Sequence, residues 1–132
     1  MRDGYYAGSS ARTFWIVAAG ERVGLVRAYD CGPLFDLRIR PDMRGRGIGA
    51  ATLDWLTGYL FTELPHITRI EGQTRRDNHA MRKVFRGGGY VREAHYREAW
   101  PGSDGTVHDS VGYAILRRDW YAGTTTQPAW DE

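Results

Sequence analysis

The densest chemistry in the chain lies in one stretch, Pro41-Asp42-Met43-Arg44-Gly45-Arg46-Gly47-Ile48-Gly49. Glycines at 45, 47 and 49 let a backbone approach a ligand with no Cβ in the way. Arg44 and Arg46 carry planar, charge-assisted donors suited to phosphate oxygens. If a helix begins at Gly47, its first free amides and positive dipole end add a further attraction for an anion. The same residues would also serve as a plain glycine-rich turn with solvated arginines, because glycine loops are common. Spacing narrows the ligand. No Gly-Lys-Ser/Thr is present, which disfavours a nucleoside-triphosphate loop. The glycines do not open the first βα unit of a doubly wound sheet, which disfavours a dinucleotide fold. His66, His79, His95 and His108 show no metal-ligand spacing, so no metal is expected.

The elements that would position this loop are legible on both sides of it. Thr13 to Ala19 is β-branched and aromatic and reads as a strand buried on both faces. Val23 to Tyr29 is a second strand, joined to it by the hairpin-length Gly20-Glu21-Arg22. Leu34 to Arg40 alternates, with Phe35, Leu37 and Ile39 on one side and Asp36, Arg38 and Arg40 on the other; Pro41 stops it. From Gly47 to about Phe61 the period becomes helical, with Ile48, Trp55 and Tyr59 on one stripe and Leu53, Leu56 and Leu60 alongside. Thr68 to Thr74 reads as a fourth strand. Asp77 or Asn78 caps a second helix carrying Met81, Val84 and Phe85, which Gly87-Gly88-Gly89 terminates. Tyr90 to Trp100 and His108 to Leu116 are the last two strands, joined through Pro101 to Gly105. The order is β-β-β-α-β-α-β-β. A helix between the third and fourth strands implies a parallel pair there, and the hairpins are antiparallel, so an α/β (α+β) fold on a mixed six-stranded sheet is expected.

Composition bounds the rest. The 132 residues suit one domain, read as 1–120 with a flexible tail over 121–132. A formal net charge of +2 fits a phosphate-bearing partner and falls short of the basic stripe of a nucleic-acid binder. The single cysteine, Cys31, allows no intrachain disulfide and fits a reducing compartment. No apolar run approaches a membrane span, and Met1-Arg2-Asp3-Gly4 does not open a signal peptide, so a cytoplasmic protein without membrane partners is expected.

The loop resembles the Arg/Gln-x-x-Gly-x-Gly/Ala signature of GNAT acetyltransferases, carried here by Arg44, Gly47 and Gly49. The flanks, an alternating strand, then Pro41, then a long amphipathic helix, are similar too. Asn78-His79-Ala80-Met81, Lys83-Val84 and Gly89-Tyr90 resemble the Asn-x-Ala-Ser-x-Arg-Val and Gly-Phe pattern of the branch containing ribosomal-protein alanine N-acetyltransferases. Asp109 to Trp120 is similar to that branch's closing strand. The resemblance spans about residues 13 to 120, most of the chain.

It implies an acetyl-CoA-dependent N-acetyltransferase acting on a primary amine, either a protein N-terminus or a small molecule. The pantetheine arm would pair with the third strand at Leu37, Arg38, Ile39 and Arg40. The pyrophosphate would sit on the amides of Arg44, Gly45, Arg46, Gly47, Ile48 and Gly49, and Asn78 would reach the pantetheine, cap a helix, or both. The sheet would splay where the fourth and fifth strands part. Attack of the amine on the thioester would draw on proximity and on a backbone amide at the oxyanion, leaving two proton steps.

For those steps the chain departs from its relatives. Phe85 stands where many relatives carry a tyrosine acid, Met81 where the alanine-acetylating branch often has serine, and Pro33 where a glutamate is common. Glu98 is the first alternative base and Glu71 the second. Asp36 has the wrong side-chain parity. Tyr96 and Tyr113 are possible proton donors, although packing is the commoner use of such residues, and Cys31 has no histidine placed near it in sequence. The family begins with a strand and two helices, whereas about 12 residues precede the first strand here. Either the acceptor groove is open or a second copy completes it; Tyr5 and Tyr6 offer a short edge strand or an aromatic lip, and a homodimer is expected. A non-catalytic acyl-CoA-binding module is the alternative reading.

Overall fold

A computed structural model describes residues 11–29 and 34–130; Tyr5, Tyr6, Cys31 and Pro33 lie outside them. The elements run β1 Ala11–Ala18, β2 Glu21–Tyr29, β3 Leu34–Ile39, a 3-10 turn Pro41–Met43, α1 Ile48–Glu63, β4 Arg69–Arg75, α2 His79–Gly87, β5 Val91–Pro101, β6 Val107–Leu116 and α3 Arg117–Ala122. The expected order therefore holds, with one helix added at the end. All six strands form one sheet in the order β1-β2-β3-β4-β6-β5. Every neighbouring pair is antiparallel except β3 and β4, where α1 makes the crossover. The first hairpin closes through Ala19 and Gly20, both at positive φ (51° and 80°), a primed turn whose twist matches its strands.

α1 and α2 lie on the same side of the sheet. An added Cβ on Gly49 of α1 would sit 3.6 Å from Val84 of α2, and one on Gly88 would sit 3.1 Å from Leu53 of α1. Between these helices and the sheet, Leu53, Leu56, Leu60 and Phe61 meet Val26, Phe35, Ile70, Phe85, Val111 and Tyr113 in a fully enclosed core. This corrects the helical stripe read from sequence. The buried face of α1 runs through Leu53, Leu56, Thr57 and Leu60. Trp55 is 48% exposed and instead stacks on Tyr59 at 5.1 Å and meets Phe14 edge-on at 5.0 Å. β1 also differs from its reading. As an edge strand it buries neither face fully, and Trp15 and Val17 remain 48% and 61% exposed.

The short α3 escaped the sequence reading because six residues carry too little periodicity to register. It is fixed by single groups rather than by a stripe. The Arg117 guanidinium donates to the carbonyls of Ile67, Leu64 and Phe61 at 2.7, 2.7 and 2.8 Å, satisfying acceptors that the end of α1 leaves open. Buried Asp119 accepts from the Thr124 and Thr126 hydroxyls at 3.0 and 2.7 Å, which ties down the first part of the segment expected to be a tail.

Candidate active site

The loop after β3 is built to leave helix amides uncovered. Arg40 hydrogen-bonds Val23 through its amide at 2.7 Å, and Met43 then donates back to the Arg40 carbonyl at 2.9 Å, turning the chain off the sheet edge. Gly45 and Gly47 take φ of 77° and 79°, a region costly for any residue with a Cβ. Gly47 is the N-cap of α1, and no side chain caps the helix. The first bond into Gly47 comes from Ala51 at 3.1 Å, so the amides of Ile48, Gly49 and Ala50 lie ahead of the helical ladder with the positive dipole end behind them. Gly49 lets this first turn press on β3, since an added Cβ would lie 3.3 Å from Ile39 Cδ1.

The arginines divide into two roles. Arg40 donates to Asp42 at 2.6 Å and to Glu21 at 3.4 Å, bracing the turn against β2. The bond from Arg40 also holds the Asp42 carboxyl below its ordinary range. Arg44 donates through Nε to the Ile39 carbonyl at 3.1 Å, and Arg46 is exposed. These last two stand beside the uncovered amides and can meet an anion held there.

Beside this loop the sheet comes apart. β3 and β4 pair only at Leu34 with Glu71 and Phe35 with Gly72, then separate toward their C-terminal ends. The parting thus lies between the third and fourth strands. The expected site between the fourth and fifth is excluded because β6 is inserted there. Residues that exchange bonds in an antiparallel pair alternate. With Arg40 bonded to β2, Arg38 and Arg40 spend their main-chain groups on that strand, whereas Leu37 and Ile39 turn theirs toward the opening. Asn78, exposed at the start of α2 on the same rim, caps the helix by accepting from the Met81 amide at 3.1 Å, which leaves its own NH₂ for a ligand. The closed end of the cleft is aromatic: Phe35 lies 6.0 Å from Phe85, which stacks on Tyr113 at 4.9 Å. Tyr113 is fully buried and its hydroxyl accepts from Arg82 at 3.0 Å, a packing position.

Of the side chains singled out for proton transfer, two come together. An added Cβ on Gly112 of β6 would lie 3.3 Å from Glu71 Oε2 and 3.8 Å from Tyr96 Cε2, so both side chains flank this glycine on the face away from α1 and α2. Glu71 accepts from Arg69 and from Gln73, each at 3.0 Å. Glu98 does not join them. It sits in a bulge of the edge strand β5 at φ 53°, with its amide donating to Asp109 Oδ1 at 2.9 Å. Asp36 pairs with Arg38 at 3.2 Å. Sequence reasoning missed the Arg69–Glu93 pair (2.6 Å) and the His95–Asp109 pair (2.7 Å), which join residues 24 and 14 positions apart through register alone. Among the described residues no group of three or more His, Cys, Asp or Glu is placed to hold a metal, and no helix is long and apolar enough to cross a membrane.

A mixed sheet opened between two parallel strands, with an uncapped glycine-rich helix end at the opening, defines an α/β scaffold whose free amides and positive dipole end can hold an anion. The chain belongs to the acetyltransferase (GNAT) family, whose profile matches residues 2–90; that family uses acetyl-CoA. No curated protein sequence matches it. Among solved structures it is similar to a probable acetyltransferase, with 23% identity and a TM-score of 0.77 over 88% of this chain and 67% of that one. It is also similar to a dodecameric spermidine N-acetyltransferase from Vibrio cholerae (22% identity, TM-score 0.74, 83% and 67% of the two chains). A third similar structure is a ribosomal L7/L12 alpha-N-protein acetyltransferase in complex with coenzyme A (21% identity, TM-score 0.74, 86% and 65%). At these identities the likeness establishes the fold.

Proposed function

We propose that the chain transfers the acetyl group of acetyl-CoA to a primary amine, a protein N-terminus or a small molecule, by direct attack. The observation that carries this reading is the coincidence of three features at one place. They are the parting of β3 and β4, the uncapped start of α1 behind Gly45 and Gly47, and the guanidinium groups of Arg44 and Arg46. The pyrophosphate rests on the amides from Arg44 to Gly49. The pantetheine arm lies along β3 and bonds Leu37 and Ile39, while Arg38 and Arg40 keep that strand on β2. The free NH₂ of Asn78 meets the arm from the other wall.

The acceptor approaches from the face bearing Glu71 and Tyr96. Glu71 holds the ammonium as a counter-charge, and Tyr96 delivers a proton to the departing thiolate. Thiol release from acetyl-CoA, measured against spermidine, a short peptide with a free N-terminus and an arylalkylamine, tests the reading; Glu71→Gln and Tyr96→Phe each lower kcat/KM by about 10²-fold. A second reading, a non-catalytic acyl-CoA-binding module, is favoured by fully buried Phe85 at a position where relatives place a hydroxyl. Coenzyme A binding without turnover of any amine selects it. A homodimer is part of the first reading, with exposed Trp15, Val17 and Leu34 available for the contact; a monomer by light scattering at micromolar concentration contradicts it.

A further inference from the structure

A charge triad stands on the face of the sheet turned away from α1 and α2. An added Cβ on Gly72 would meet Phe35 and Phe85 of the core, so its odd-numbered neighbours on β4, Arg69, Glu71 and Gln73, point to the opposite face. Arg69 donates through Nη1 to Glu71 Oε1 at 3.0 Å and through Nη2 to Glu93 Oε1 at 2.6 Å. Gln73 donates to Glu71 Oε2 at 3.0 Å. Glu93 arrives through an irregularity of β5: Arg92 pairs with Tyr113 and Ala94 with Gly112, so Glu93 is an extra residue with no partner on β6. Between β4 and β5 stands Ala114, the register partner of both Glu71 and Val91, and its methyl leaves the long Arg69 side chain room to cross β6.

The triad borders the opening. Glu71 is the β4 partner of Leu34 in the short β3–β4 pairing, beyond which the sheet parts. Two carboxylates share one guanidinium, so the three side chains carry one net negative charge. The other charged groups on this face have partners of their own. Asp36 accepts from Arg38, Arg27 donates to Thr13, and Arg75 donates to both oxygens of Asp77. Burial works against the Arg69 charge, yet the bonds to Glu71 and Glu93 outweigh it and hold its pKa above the ordinary arginine value.

Resting on the acetyltransferase reading, in which Glu71 receives the acceptor ammonium, we propose that the triad selects the acceptor by charge. Glu93 is its specificity-determining residue and acts through Arg69. A guanidinium bonded to Glu71 alone would cancel that carboxylate, and an ammonium would meet a closed ion pair. The shorter bond to Glu93 engages the second arm of the fork, which leaves one negative charge to meet the ligand. With its side chain only 21% exposed, Glu71 is screened less than a surface carboxylate. The acceptor class is therefore a primary amine whose neighbouring groups are neutral or cationic. An amine with a carboxylate beside the nitrogen, as in a free amino acid, would set a second anion against the triad and is rejected.

Substitution sets the charge of the triad directly. Glu93→Gln makes it neutral, Arg69→Gln makes it doubly negative, and the two together restore one negative charge. For each chain, kcat and KM are measured with the best amine of the three, coenzyme A affinity by calorimetry and the midpoint by denaturation. KM for the amine is expected to follow the charge. Glu93→Gln raises it about 3- to 10-fold, Arg69→Gln lowers it by a similar factor, and the double variant lies near the wild type, because a unit charge several ångströms from an ammonium in part-exposed surroundings has about that effect. The change falls on KM more than on kcat, and coenzyme A affinity stays constant. Of leucinamide and leucine, which differ by one carboxylate, leucinamide is the better acceptor. A role confined to bracing the sheet would instead raise KM in both single variants and most of all in the double one. That pattern, equal KM in all four chains, or a preference for leucine overturns the selection and leaves the acetyltransferase reading standing. A wild type that binds coenzyme A yet acetylates none of the amines overturns catalysis and the selection together. Failure to bind coenzyme A overturns the reading at its root.

Discussion

Four glycines allow strain and ligand contact to be separated. Gly20, Gly45, Gly47 and Gly105 all have φ between 77° and 87°, and an added Cβ on any of them meets nothing within 4 Å. Replacement by alanine therefore carries the same cost at each: about 1–2 kcal/mol for a left-handed residue with a Cβ, less the roughly 0.4–1 kcal/mol recovered by stiffening the unfolded chain. Chemical denaturation without ligand is expected to show a similar loss, about 0.5–1.5 kcal/mol, for all four variants. Coenzyme A affinity should divide them. Gly105 sits in a hairpin turn away from the loop, and Gly20, although it precedes the Glu21 that braces Arg40, contributes no amide to it. An alanine at 45 or 47 instead biases φ toward negative values and turns the amides that follow away from a common point. Losing one charge-assisted bond of about 1.5–3 kcal/mol weakens binding about 10- to 150-fold. Calorimetric titration of coenzyme A into each variant gives the comparison. Equal affinity across the four would refute the placement of the pyrophosphate on this loop, whatever the stabilities proved to be.

Arg117→Ala removes three bonds to carbonyls around the end of α1, and partial solvent access limits the loss to about 2–4 kcal/mol by denaturation. Arg117→Lys, with no fork to reach all three, recovers only part of it. Gly72→Ala places a methyl 2.7 Å from the rings of Phe35 and Phe85, and the overpacking costs about 1–3 kcal/mol in the same assay; an unchanged midpoint would show that these rings yield freely. Asp119 is held below the ordinary aspartate value of 3.8 first by the Thr126 hydroxyl. Its stabilisation is therefore complete above that value and lost as pH falls through the lower folded-state value. Proteolysis of the segment after α3 should accelerate only in that acid window, and Asp119→Asn should show the acceleration at neutral pH.

What the sequence disclosed and what it concealed follow from the range of each interaction. Leu34 to Arg40 announces itself because alternation is a property of neighbours, and the glycine loop because its chemistry lies within a few consecutive residues. β1 reads as a buried strand because composition alone cannot distinguish an edge strand from a central one: Trp15 and Val17 are as apolar as buried residues, and only the strand order leaves them at the margin. Trp55 misled for a related reason. It falls on an apolar stripe of α1, yet its partners Phe14 and Tyr59 form a small aromatic group beside the core rather than within it.

The candidates for proton transfer were harder to place because their positions depend on a bulge. Parity along β5 is continuous only if the strand is regular, and three residues opposite Asp109 break it. Glu98, on a regular strand, would share a face with Tyr96; the bulge instead spends its amide on Asp109 and turns its side chain out to solvent. The same distortion that displaces Glu98 brings His95 and Asp109 into contact from 14 positions apart. A bulge of this size on an edge strand blunts the edge against another chain. Asp109→Ala tests that purpose, because it frees the Glu98 amide and leaves His95 without its partner. Self-association of the variant by light scattering is the expected result, and a variant that keeps the wild-type oligomeric state refutes it.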